Sequence, residues 1–341
     1  MNTRLRFAVI GMNHSHIYAM TAAVIRGGGE LVFFYAAEVA LLADFALKFP
    51  GTKVARSIDE ILQDTSIKLV LSAMTPVDRA ALAIRVMEHG KDFLSDKPGI
   101  TSLEQLRNVR EVQQKTQRIY SVMFSERFEN PATVKAGQLV AAGAIGKVIQ
   151  TIGIGPHKNT KTPLTREPWF FDRKYYGGIL TDIASHQFDQ FLFFTGSTRA
   201  EIIASQVANV NHHQYPAFED FGDVMVQGDN GCGYIRVDWF SPGGLNSWGD
   251  GRLTILGTEG YIELRKYIDI AGRSDGNHLF LVDKKETRYI NGTNVELPFG
   301  RLLVDDVLNR TETAMTQAHC FLSTELALLA QAKANDVSNS F

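Results

Sequence analysis

The sequence predicts an α/β protein in two parts. A parallel sheet with helices on both faces comes first, followed by an α+β region on a large, mainly antiparallel open sheet. Three observations carry this expectation. Over the first 125 residues, short apolar runs alternate with helical stretches of about 10 to 15 residues, as in a buried parallel sheet. From Glu201 onward the chain shows short alternating runs separated by turn residues, as antiparallel strands covered on one face do. At 341 residues the chain also exceeds the usual size of one core. The expected division is 1–125, 126–334 and a frayed tail at 335–341.

Arg6 to Gly11 reads as the first buried strand, and the helix after it stops at Gly27-Gly28-Gly29. Leu31–Tyr35 is the second strand and Leu41–Phe49 the next helix. Ser57 and Glu60 have the spacing of a capping box. Leu69–Ala73 is a strand, Pro76 opens a helix ending at Gly90, and Asp92–Leu94 is the strand after it. A helix over Ser102–Lys115 and a strand over Tyr120–Phe124 complete a Rossmann-type nucleotide domain. Beyond it, Asn130-Pro131 caps and opens a helix to about Ala142. Lys147–Ile154 is a strand, residues 156–176 form a long ordered loop, and Thr311–Lys333 is an amphipathic helix.

Composition narrows the function. Apolar residues make up 45% and the net charge is -2, which gives no electrostatic reason for nucleic acid or an anionic membrane as partner. No apolar run approaches the roughly 20 residues of a membrane span. The amino terminus leads directly into a strand, without a signal-peptide apolar region. Cys232 and Cys320 lack metal or redox spacing, in keeping with a reducing, cytoplasmic setting.

The stretch Ser95-Asp96-Lys97-Pro98 lies at a strand's carboxyl end, where open α/β sheets place ligands. Pro98 restricts Lys97 to extended conformations and allows a cis bond. The competing reading is a surface turn with a solvated lysine. In the glycine loop, Gly11-Met12-Asn13-His14-Ser15-His16 keeps only the first glycine of the G-x-G-x-x-G pattern. Asn13 can replace the second through a left-handed conformation, and the helix's first N–H groups remain available to a pyrophosphate. Glu38, just after the second strand, is either the ribose-binding acid or an acid in the next helix's first turn. No Arg or Lys follows that strand closely, which favours NAD over NADP. His14 and His16 lack a third ligand of defined spacing, so no metal is expected; they are expected to line the cofactor or substrate cleft. In the second part, Gly177-Gly178 precedes Asp182 and His186, four apart on one helical face with Asp189 a turn further. That pair reads either as an ion pair or as a carboxylate and imidazole for proton transfer.

Three motifs then fall in order: Asp96-Lys97-Pro98, Gly177-Gly178 through Asp182 and His186, and Ile255-Leu256-Gly257-Thr258-Glu259-Gly260. Together with Arg127-Phe128 after the sixth strand, they resemble the family of glucose-fructose oxidoreductase, inositol 2-dehydrogenase and rhizopine catabolism proteins, from Phe7 to about Ala334. The chain departs from the family in its glycine loop, in Asp96 for the usual glutamate, and in Val77 and Ala80, where Asn and His are common. The resemblance implies an NAD(P)-dependent dehydrogenase or reductase of a sugar, inositol or related polyol. His186 would be the general acid/base and Lys97 the group stabilising alkoxide charge, with Asp182 orienting substrate or histidine. Gly11, Met12, Asn13, His14 and Glu38 would contact the cofactor, as would Thr75, Pro76, Asp96 and Lys97. Arg127, His157, Trp169 and Tyr176 are candidate polyol contacts. The resemblance also implies a homodimer or homotetramer through the second sheet. Two other readings are a non-catalytic nucleotide or sugar sensor and a hydrolase or lyase that uses NAD transiently.

Overall fold

The computed structural model describes residues 4–159 and 166–340. The expected loop at 156–176 is therefore described except at 160–165, and the amino terminus from residue 4. The chain divides into two compact units, residues 1–123 with 298–321 and residues 124–297 with 322–341.

The first unit alternates strand and helix as expected. Its elements are β1 (Arg6–Ile10), α1 (His16–Arg26), β2 (Glu30–Tyr35), α2 (Val39–Lys48), β3 (Lys53–Val54), α3 (Ile58–Gln63), β4 (Leu69–Ser72), α4 (Pro76–Glu88), β5 (Asp92–Asp96), α5 (Leu103–Thr116) and β6 (Tyr120–Met123). The six strands are parallel in the order β3-β2-β1-β4-β5-β6. Every residue of β4, β5 and β6 is buried, because helices cover both faces of this sheet. Ser57 Oγ caps α3 from the Glu60 N–H at 3.2 Å, whereas the Glu60 carboxylate takes the Arg56 N–H instead of closing the box. β3 was missed because its two residues, Lys53 and Val54, are exposed and carry no apolar run.

The second unit begins with α6 (Ser125–Phe128) and α7 (Pro131–Ala141), where Asn130 Oδ1 accepts the Thr133 N–H as the cap predicted. There follow β7 (Val148–Pro156), α8 (Arg173–Tyr176), α9 (Ile179–Asp182), α10 (Ala184–Thr195), β8 (Ala200–Ala208), β9 (Phe221–Gly228) and β10 (Cys232–Asp238). The rest of the sheet is β11 (Arg252–Gly257), β12 (Gly260–Arg265), β13 (His278–Asp283) and β14 (Thr287–Asn291). The sheet has nine strands in the order β14-β13-β12-β11-β7-β10-β9-β8-β15, with β15 at Asn335–Asp336. It is antiparallel except for β7 with β10 and β8 with β15. Ile179, Ile183, Phe188 and Phe191 pack with Val224, Val226 and Ile235 in one core.

Three expectations are corrected. Residues 298–321 belong to the first unit, because α11 (Phe299–Asn309) packs on α1 and Arg310 reaches Asp92 at 2.6 Å. The contact with α1 is so close that a Cβ at Gly300 would meet the Ala23 carbonyl oxygen at 2.0 Å. The last helix, α12, spans Gln317–Lys333 and does not start at Thr311. Asp306 gathers the Thr311 and Thr313 hydroxyls and the N–H groups of Thr313 and Ala314 at 2.6–2.8 Å, which holds that segment in a turn. Residues 335–340 of the tail are not frayed. Asn335 and Asp336 pair with Gln206 and Val207, and Ser338 Oγ accepts the Asn209 N–H.

Candidate active site

In the first unit the site grows from the end of β1. Gly11 has φ +78°, and a Cβ there would meet Met74 Cγ at 1.9 Å, so the turn requires glycine. Its N–H donates to the Tyr35 carbonyl at 2.8 Å, and the His14 N–H to the Ala73 carbonyl at 3.0 Å, tying the loop to the ends of β2 and β4. Asn13 does not take the left-handed conformation expected of it. Its Nδ2 donates to Glu38 Oε1 at 3.0 Å instead, and Glu38 is the residue before α2. No side chain caps the amino end of α1; the Ile17 and Tyr18 N–H groups donate to the His14 and Ser15 carbonyls at 3.2 and 3.3 Å. Thr75 and Pro76 open α4.

Asp96, at the end of β5, is fully buried. Oδ1 accepts from His16 Nδ1 at 2.9 Å and the Lys97 N–H at 2.8 Å. Oδ2 lies 2.9 Å from His14 Nδ1 and 3.3 Å from Arg79 Nη2. Arg79 Nη1 also donates to the carbonyls of Asp96, Lys97 and Pro98 at 2.8–3.0 Å, so one buried guanidinium shapes the whole turn carrying Lys97. The Lys97–Pro98 bond is cis, and Lys97 is 6% exposed, so it is not a solvated surface lysine. Burial opposes the Asp96 charge, but His16, Arg79 and His14 outweigh it and hold the carboxyl well below its usual range. Burial, then the charge of His16, pushes His14 down to about 4 against the pull of Asp96.

His14, His16 and Asp96 have ligand atoms within 4.8 Å of one another, so the fold supplies the third group that the sequence spacing lacked. The carboxylate already accepts from the His16 imidazole, a guanidinium and a backbone N–H, the His14 ring stands 2.9 Å away, and the fixed charge of Arg79 opposes a cation beside it. The arrangement is a hydrogen-bonded knot that fixes the loop to the Lys97 turn. Arg79 went unnoticed in the sequence. Its one signal is its place one turn into the helix after β4.

In the second unit, Asp182 ends α9 and His186 lies in the first turn of α10, with the helix broken at Ile183 between them. Both are buried, at 7% and 3% exposure. Glu219 Oε2 accepts the Ile179 N–H at 2.8 Å and Gln331 Oε1 the Leu180 N–H at 2.9 Å, which anchors α9. The His186 ring stands edge-on to Phe124, and its carbonyl accepts from Gln190 Nε2 at 2.8 Å. His157, at the end of β7, packs between Trp239 and Trp248, and its Nδ1 donates to the Gly155 carbonyl at 3.0 Å. A neutral His157 therefore presents Nε2 as an acceptor.

Of the other expected contacts, Trp169 is partly buried on the core beside Phe170. Arg127 is committed elsewhere. Nε and Nη2 grip the buried Asp189 carboxylate at 2.6 Å each, with the guanidinium over the Phe128 and Phe193 rings. Tyr176 is a core residue whose hydroxyl accepts the Glu219 N–H at 3.1 Å. Sequence reading also missed Glu126 and Lys266, joined at 2.6 Å in the interior. The only signals were adjacency to Arg127 and to the end of β12.

A glycine turn feeding a helix, on a parallel sheet with an acid after β2, is the frame of a nucleotide-binding domain. Residues 5–124 match the oxidoreductase family with an NAD-binding Rossmann fold, and residues 133–263 match the GFO/IDH/MocA C-terminal domain. The chain belongs to the GFO/IDH/MocA family. A crystal structure from Erwinia carotovora atroseptica SCRI1043 is 46% identical, superposes with a TM-score of 0.95, and is covered to 100% by 98% of this chain. Scyllo-inositol 2-dehydrogenase (NAD(+)) of Bacillus subtilis (strain 168) is 27% identical over 77% of this chain and 74% of its own. A levoglucosan dehydrogenase solved with NADH and levoglucosan shares the fold, at TM-score 0.77 and 19% identity over 97% of this chain and 96% of its own.

Proposed function

We propose that this oxidoreductase is a dehydrogenase of a cyclic polyol or sugar that prefers NAD. The observation that carries the reading is the burial of His186 and Asp182 on consecutive helices, both kept from water as proton-transfer groups are. The names of the relatives, a scyllo-inositol dehydrogenase and a levoglucosan dehydrogenase, support the substrate class. Bound NAD would supply the hydride acceptor. The chain's own residues do the rest. His186 takes the hydroxyl proton of the substrate, the Lys97 ammonium stabilises the developing alkoxide, and Asp182 orients the substrate. His157 Nε2 accepts from a further hydroxyl, with Trp248 as an apolar wall.

Glu38 supports NAD, since an acid there accepts ribose hydroxyls and repels a 2′-phosphate. The uncovered sheet face exposes Ile149, Ile203, Met225, Leu256, Tyr261 and Tyr289, which supports assembly of a homodimer or homotetramer through it. A cytoplasmic setting completes the proposal; neither Cys232 nor Cys320 is joined in a disulfide.

The test screens the purified chain with NAD and NADP against inositols and sugars, following nicotinamide absorbance, alongside His186→Asn and Lys97→Ala. Turnover with NAD and a loss of about 100-fold or more in kcat for each variant is expected. Absence of both turnover and nucleotide binding by calorimetry would overturn the dehydrogenase reading and leave a sensor. Light scattering that finds a monomer would overturn the assembly.

A further inference from the structure

The interior of the second unit holds an ion pair that the reaction above does not use. Glu126 and Lys266 are both buried, in α6 and just after β12. Lys266 Nζ donates to Glu126 Oε2 and to Gln190 Oε1, each at 2.6 Å. Gln187 Nε2 donates to the same Oε2 at 2.8 Å, and Gln190 Nε2 returns to the His186 carbonyl at 2.8 Å. Gln187 is the neighbour of His186 and Gln190 lies one turn further along α10. The helix is thus laced to the ion pair at two points in the turn that follows His186.

We propose that the Glu126–Lys266 pair is a positioning device for His186, holding its helical turn and setting the pH range in which the imidazole takes up the substrate proton. The proposal rests on the acid/base reading of His186. Burying two charges is costly unless both are paired, so packing alone does not call for them here. The pair is also lopsided. Lysine and glutamine both bind Oε2, while Oε1 is buried and receives no donor among the described residues. Glu126 remains ionised: burial alone would raise it, but Lys266, then His186 and His157, bring it down to about 2. The fixed anion in turn favours the imidazolium that His186 becomes when it accepts a proton. The other charged groups on elements packed against α10 are largely compensated. Arg127 is bound to Asp189, Asp238 to Arg236, and Asp182 lies near Arg166. The other titratable neighbours are His157, Cys232 and Tyr234 of β10, and Tyr267, which Glu126 acts on.

The test titrates ring-labelled histidines of the whole chain by NMR, with His186→Asn identifying the resonance and circular dichroism confirming that each variant folds. Glu126→Gln keeps the shape and removes the anion, so the His186 midpoint should fall by about one pH unit, a tenfold change in proton affinity. The acid limb of kcat/KM should move down with it. Lys266→Gln leaves Glu126 with the imidazoles as its cations, so there the midpoint should rise. A midpoint that stays within about 0.2 units in Glu126→Gln overturns the inference, as does one that stays or falls in Lys266→Gln. The two readings fail separately. Undiminished turnover in His186→Asn removes the acid/base role itself, whereas lost turnover with an unmoved midpoint removes only the role of the pair.

Discussion

Asp96→Asn tests whether the charge knot beneath Lys97 holds the first unit together. The substitution keeps the side chain's volume and removes one charge from a site with no solvent exposure. The carboxylate accepts from His16, Arg79 and the Lys97 N–H, and lies 2.9 Å from His14 Nδ1. An amide has only one oxygen. If that oxygen keeps His16 and the Lys97 N–H, its NH₂ faces Arg79 Nη2, placing donor against donor. The fully buried Arg79 also loses its counter-charge. Removing one partner of a buried pair costs about 3–5 kcal/mol, and because Arg79 keeps four carbonyl acceptors the lower end is expected. With a urea slope of roughly 1–3 kcal/mol/M, the midpoint followed by circular dichroism should drop by about 1 M or more at pH 7. The sign with pH follows from the depressed pKa. The contribution of Asp96 is complete above about pH 4, its unfolded value, and is lost as pH falls through its lower folded value. The gap between the two proteins should therefore narrow in acid. A shift below about 0.3 M at neutral pH would refute the reasoning, and Arg79→Met added to the variant should recover part of the loss.

Three further outcomes are expected. Gly11→Ala places a methyl against Met74 Cγ at φ +78°, so NAD binding measured by calorimetry should weaken by at least about tenfold; unchanged binding would show that the loop can shift. Arg127→Ala removes the two-point guanidinium grip on the buried Asp189, so it should lower stability by about 3–5 kcal/mol while KM changes less than about threefold, the reverse of a substrate contact. His14 is held down at about 4, so unfolded chains bind a proton that folded ones do not as pH falls from about 6.5 toward 4. Thermal unfolding should show stability declining through that window, and His14→Asn should flatten the decline.

The first sheet was legible because buried parallel strands leave continuous apolar runs, and only the exposed Lys53–Val54 escaped. The caps Ser57 and Asn130 were equally local and equally readable. Lys97, Asp182 and His186 stand out in the sequence because each lies beside a backbone signal, a proline or a pair of glycines. Their surroundings do not. Asp96 meets His14 and His16 some 80 residues away in the chain, and Lys266 meets Glu126 across 140, distances at which no spacing rule operates. Arg127 and Tyr176 misled for the same reason. A guanidinium and a phenol look like sugar contacts until the fold shows Asp189 and Glu219 holding them.

The return of residues 298–321 to the first unit also bears on how the protein is made. All six strands of the first sheet have been synthesised by Met123, yet α11, which covers α1, begins at Phe299. Arg310, which neutralises the buried Asp92, emerges 218 residues after it. At roughly 5–20 residues per second, the ribosome leaves this face of α1 and an unpaired aspartate waiting for about 10 to 40 seconds. The second unit is meanwhile emerging. A fragment ending at residue 125 would keep that nascent condition permanently, so an isolated nucleotide-binding unit has to be built by joining 298–321 back to 1–123.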